Sequence, residues 1–161
     1  MSEGYLPPEI EANFPNLRRG EYEKTSENTA VYNCIAHAAE DDSLWWWPDQ
    51  GVGIYWPPEA PQEETIESFI QAYGTIGYKV CDKERRNAEP GFQKIAIYVD
   101  EEGVPTHAAR QLPSGLWTSK LGKAEDIQHD TLEAVESDPV IGLGYGKVAL
   151  ILRRPAPDIA E

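Results

Sequence analysis

From Lys94 the pattern changes to a period of two, and turn signals divide the stretch up to Leu121 into three strand-length segments. A chain patterned in this way has one economical solution, an antiparallel meander. Lys94 to Asp100 puts Ile95, Ile97 and Val99 on one face. Glu101-Glu102-Gly103 reads as a hairpin turn, Thr106 to Leu112 as the return strand, Pro113-Ser114-Gly115 as a second turn, and Leu116 to Leu121 as a third strand. Tyr78 to Cys81 predicts a further short strand. Tyr145 to Arg153 predicts a last one, whose unbroken run Val148-Ala149-Leu150-Ile151-Leu152 suits a position covered on both faces.

Before the meander the period is 3.6. Asn33 to Glu40 is short and rich in Ala, with Asn33 placed as an N-cap. From Pro61 to Ile76, Ile66, Phe69, Ile70 and Tyr73 recur at i, i+3, i+4 and i+7, Glu63 and Glu64 suit the N-terminal dipole, and Gly77 follows as a cap. Ala124 to Glu136, with Ile127, Leu132 and Val135, predicts another amphipathic helix. Residues 1–30 read as an irregular arm anchored by Tyr5, Leu6, Phe14 and Leu17, and 155–161 as a flexible tail. The expectation is a single α+β domain over 1–161, with N-terminal helices packed on a mostly antiparallel sheet.

At 161 residues such a domain buries about 70% of the surface exposed when unfolded, and needs neither a disulfide framework nor a structural metal. Cys34 and Cys81 are too few for a framework. Met1 opens on a polar, acidic stretch without an apolar run, which predicts a reduced, cytoplasmic setting. The formal charge of −14 repels nucleic-acid backbones and anionic membranes. No nucleotide, phosphate or cofactor fingerprint is present.

Chemistry is expected at Cys34. A thiol in the first turn of a helix meets the positive end of the backbone dipoles, which favours thiolate. It then needs a base from another element, and His107, beside the small Ala108 and Ala109, is the candidate. A group orienting His107 would come from the third strand, or from Asp126 or His129 beyond it. Trp45, Trp46, Trp47 and Trp56 read as core packing or as the wall of a groove, with Arg110, Gln111 and Lys120 as its polar end and Trp117 and Ser119 as further substrate-binding candidates. Such a groove would take a peptide or a small amide-bearing substrate, or else a protein partner. His37 lies one helical turn from Cys34, so Cys34 and His37, with His107 or Cys81 as further ligands, form an alternative zinc-ligand set, first of all Cys34, His37 and His107.

A helix-borne Cys followed by a sheet-borne His is the chain order of the papain-like cysteine hydrolases, and the sequence resembles their transglutaminase-like and NlpC/P60-like branches. Asn28 stands six residues before Cys34, where papain-like peptidases carry an oxyanion-hole Gln; His107 followed ten residues later by Trp117 is similar to the transglutaminase-like spacing. Ser119 and Lys120 stand where that resemblance would place an Asp or Asn. It implies a papain-like fold and acyl transfer at an amide or related bond, with Cys34 as nucleophile, His107 as base and Asn28 at the oxyanion. Tyr32-Asn33-Cys34-Ile35-Ala36-His37-Ala38, Thr106 to Gln111 and Trp117 to Gly122 also resemble an uncharacterised bacterial family, which implies no activity.

Overall fold

The computed structural model describes residues 5–49, 51–121, 123–140 and 142–156. The expected meander is present as β5 (Phe92–Val99), β6 (Pro105–Gln111) and β7 (Trp117–Lys120). Its two turns place Gly103 at φ 82° and Gly115 at φ 95°, a left-handed backbone that glycine alone adopts cheaply. β1 (Tyr22–Ser26), β4 (Lys79–Cys81), β8 (Asp126–His129) and β9 (Lys147–Pro155) complete a seven-stranded sheet in the order β1-β8-β7-β6-β5-β9-β4, each neighbouring pair antiparallel. β9 lies between β5 and β4, the interior place its apolar run demands.

Two expectations are corrected here. The arm over 1–30 is not irregular throughout: it contains the four-residue helix α1 (Pro8–Glu11), a 3-10 helix (Pro15–Arg19) and β1. The helix expected over Ala124 to Glu136 is instead β8 followed by a 3-10 turn, Leu132–Val135. Ile127 is fully buried in a strand that pairs with both β7 and β1, so two ladders outweigh the local helical pattern. Leu132 and Val135, three apart, share the inward face of the 3-10 turn.

Helix α2 (Cys34–Ala38) begins at the expected cap: Asn33 Oδ1 accepts from the Ala36 amide at 3.1 Å. The same side chain accepts from the Trp46 amide (3.1 Å) and donates to the Trp46 carbonyl (2.7 Å). It thereby ties α2 to β2 (Trp45–Trp46), which pairs in parallel with β3 (Ile54–Tyr55). Helix α3 spans Ile66–Gly74 rather than starting at Pro61. Thr65 is its cap, accepting from the Ser68 amide at 3.2 Å, and the Pro61 carbonyl is used instead by Trp56 Nε1 at 2.8 Å.

The sheet separates two apolar layers. One face carries Ile95, Ile97 and Ala108 under Cys34, Ile35 and Ala38 of α2 and Phe69 and Tyr73 of α3. The other carries Ala96, Tyr98, Ala109, Trp117 and Ile127 under Leu6, Phe14, Leu17, Leu132 and Val135. The N-terminal segment and the 3-10 turn therefore supply the cover that a second set of helices would give in a three-layer fold. The flexible tail expected over 155–161 lies, for 157–161, outside the described residues. No helix among the described residues is long and apolar enough to cross a membrane.

Candidate functional site

Cys34 is the first residue of α2, and α2 packs across β6 and β7. Its sulfur lies 4.0 Å from the Thr106 carbonyl, with the Ala108 amide also turned toward it. The thiol thus sits against the backbone on both sides of His107. Beside this stretch the β6–β7 ladder is open, because the two strands pair only at Arg110↔Thr118 and Gln111↔Trp117. The backbone amides of Cys34 and Ile35 also approach the sulfur and favour the thiolate, as expected of a helix start. Burial opposes them and is larger, pushing the thiol up to about 11. The sequence-based expectation of a depressed thiol is therefore corrected for the resting molecule: α2 is a single short turn inside an apolar layer, and desolvation wins.

His107 enters from the opposite layer. Its ring is fully buried, stacked on Tyr145 with centroids 4.0 Å apart and planes 4° from parallel, and edge-on to Tyr98. Its Nε2 is 2.9 Å from Ser119 Oγ, and Ser119 Oγ is 2.8 Å from His129 Nε2. His129 Nδ1 is 2.7 Å from the Thr131 carbonyl. These contacts fix every proton. A carbonyl only accepts, so His129 Nδ1 carries hydrogen and its Nε2 accepts. Ser119 spends its one proton on that nitrogen, so it must accept from His107 Nε2. The proton of His107 is therefore on Nε2, and Nδ1 is a bare lone pair, buried and without a hydrogen-bond partner. Burial also holds both imidazoles neutral: His129 falls to about 4 and His107 well below its ordinary value. No hydrogen bond joins the Cys34 sulfur to the His107 ring.

Ser119 and His129 answer the question of what orients His107. Asp126, the other candidate, turns to the helix face. There its Oδ2 accepts from Tyr32 Oη at 2.7 Å and lies 3.8 Å from His37 Nδ1, while His37 Nε2 is 2.9 Å from Thr118 Oγ1. Asp126 Oδ1 is buried and unpaired. His37 is lowered to about 4 by burial, against the pull of Asp126. Little in the sequence marks Tyr145 as a site residue. Its only signal is the Tyr between Gly144 and Gly146, both of which take positive φ, and Gly146 lies so close to the Val99 carbonyl that no side chain fits there.

The remaining candidates are spread more widely. Asn28 is exposed in the loop between β1 and α2. Trp46 and Trp56 are buried, Trp46 against Tyr55 and Tyr73 and Trp56 against Phe69; Trp47 packs edge-on to Phe69 and donates to Glu64. Gln111 donates to the Arg86 carbonyl, Trp117 is core, and Lys120 is fully buried with Nζ bonded to the Thr29 and Ala124 carbonyls. Arg110 reaches the His37 carbonyl and Glu40. Of the substrate-binding candidates only Ser119 is hydrogen-bonded to His107, while Arg110, Gln111 and Lys120 of the expected polar end bond elsewhere. Among the described residues no three His, Cys, Asp or Glu side chains converge to hold a metal, so Cys34, His37 and His107 are not a ligand set.

Neither the curated proteins nor the solved structures contain a match to this chain. One family model does match, from residue 23 to residue 153, and so takes in β1 through most of β9 together with Cys34, His107, Ser119, His129 and Tyr145. The chain belongs to that family, the domain of unknown function DUF7689.

Proposed function

We propose that this domain is a cysteine-dependent acyl-transfer enzyme with a papain-like arrangement of Cys34 on α2 and His107 on β6, acting on the amide or a related bond of a peptide or small molecule. The observation that carries the reading is the proton bookkeeping at His107: its only free nitrogen is a lone pair, next to the strand segment on which the Cys34 thiol rests. A buried acceptor left unpaired costs about 1–3 kcal/mol, and a general base is one reason to keep it.

In the reaction the thiol proton passes to His107 Nδ1 through the gap where β6 and β7 are unpaired, from the helix layer to the opposite one, as sulfur adds to the carbonyl carbon. The oxyanion is met by the Cys34 and Ile35 amides at the start of α2, with Asn28 as the side-chain candidate. The C–N bond then breaks, the proton on Nδ1 leaves with the amine, and water cleaves the thioester through the same base. Both groups rest neutral, so the ion pair forms only when a substrate carbonyl is present to stabilise it. Ser119 and His129 share the charge on the imidazolium by shifting hydrogen bonds that already exist.

The test uses p-nitrophenyl acetate as a generic acyl donor, with the acylated residue located by mass spectrometry. Cys34 is expected to acetylate faster than the half-buried Cys81, and His107→Ala is expected to slow it by about 100-fold. Acetylation of Cys34 no faster than Cys81, or unchanged in His107→Ala, removes the enzyme reading. The second reading, a non-catalytic acidic module that binds a protein partner, is favoured by the complete enclosure of both groups. On that reading Cys34→Ala keeps full biological effect.

A further inference from the structure

At the other end of the sheet, where Phe92 of β5 faces Pro155 of β9, lies an open cavity of about 560 Å³. Its walls include Lys79, Arg85 and Arg153, with Val80, Cys81 and Phe92 between them. That lining runs against the composition of the chain, which has twice as many acidic as basic residues.

The charges there are not cancelled locally. Arg153, Arg85 and the buried Lys94 all turn to one carboxylate, Glu89, at 2.6, 3.8 and 3.3 Å. A single negative charge shared by three cations leaves a surplus, and the exposed Lys79 adds to it, with Asp82 the one acidic residue in the wall. Arg153 is also held in place, its guanidinium 4.2 Å above the Phe92 ring. A fixed guanidinium, a second arginine and a lysine around a concave space form a receptor for a multiply charged oxyanion, since arginine forks bind phosphate bidentately and lysine adds a point charge. The flank of Phe92 offers apolar surface for the rest of the ligand.

We infer that this cavity binds a small phosphate monoester, with Lys79, Arg85 and Arg153 on the phosphate and Phe92 on its organic group. The site is independent of the Cys34–His107 reading, because it lies at the opposite end of β5 from Tyr98 and shares no residue with it.

Calorimetric titration of the full chain with phenyl phosphate, inorganic phosphate and phenylacetate tests it. Phenyl phosphate is expected to saturate one site, to bind more tightly than the other two, and to weaken as salt is raised. Lys79→Ala and Arg85→Ala, both exposed positions, are expected to fold normally and to raise its Kd about tenfold each. Bound phenyl phosphate is also expected to slow iodoacetamide alkylation of Cys81, measured in the Cys34→Ala background. Failure to saturate at millimolar ligand, equal Kd in wild type and both variants, or binding that leaves Cys81 alkylation unchanged overturns the site. Equal affinity for inorganic phosphate and phenyl phosphate overturns the assignment to an ester.

Discussion

A single hydroxyl decides the protonation of two imidazoles. Ser119 Oγ stands between His107 Nε2 and His129 Nε2, and with Ser119→Ala both nitrogens lose their partner in a dry interior. The loss is expected to be about 2–6 kcal/mol, read from urea unfolding, because each of the two stranded buried groups costs about 1–3 kcal/mol. Ser119→Ala also frees His107 to adopt either tautomer, so acetylation of Cys34 is expected to fall by more than the loss of folded protein explains. The histidines give stability a definite pH slope. His129 sits at about 4 in the folded chain, below its ordinary 6.5, so the unfolded chain takes up the proton first as pH falls. Above pH 6.5 both states are neutral and nothing is lost. Between about 6.5 and 4 the folded state loses ground, by about 3 kcal/mol for this one residue, and below 4 the loss levels off. Denaturation midpoints measured across that window are expected to fall, and less steeply in His129→Gln, which cannot take up a proton.

At the scale of elements, α2 is five residues long and has no independent stability, so its position depends on how it is tied down. Asn33 does this with three hydrogen bonds, one to the Ala36 amide and two to the backbone of Trp46. Asn33→Ala is expected to cost about 2–3 kcal/mol, and Asn33→Ser, which keeps only the cap, to recover part of it, both by thermal or urea unfolding. The cap was readable in the sequence because the Asn–Cys junction opens an Ala-rich turn. Its two bonds to Trp46 were not, since they link positions thirteen residues apart. The meander was readable to within two residues of each strand, because alternation and Gly turns are local. β1 and β8 were not. Tyr22–Ser26 is short, half-exposed and polar, and Asp126–His129 sits in a helical pattern; β1 becomes a strand because β8 is its neighbour, and β8 because β7 and β1 flank it. The site divides along the same line. Cys34, His107, Ser119 and His129 were all named from residue type, but the hydrogen bonds linking the last three, and the ring of Tyr145 over His107, come from strand register.

The whole molecule carries a formal charge of −14, and the compact state concentrates that charge. Screening is therefore expected to stabilise it: raising sodium chloride from about 10 to about 500 mM should increase the unfolding free energy by about 1 kcal/mol, a gain that denaturant titrations at the two salts can resolve. Against that field the cavity formed by β4, β5 and β9 is a local reversal of sign, built from residues that the sequence scatters between Lys79 and Arg153. The sequence by itself determined the antiparallel meander, the interior place of β9, the cap of α2 and the sign of the surface, because periodicity, turn chemistry and charge are properties of neighbours along the chain. Only the tertiary structure decided that Cys34 and His107 approach β6 from opposite layers, that Ser119 and His129 rather than Asp126 hold the imidazole, and that the thiol rests protonated. Strand register and burial act between residues far apart in sequence, and desolvation inside the apolar layer outweighs what a helix start alone would give a cysteine.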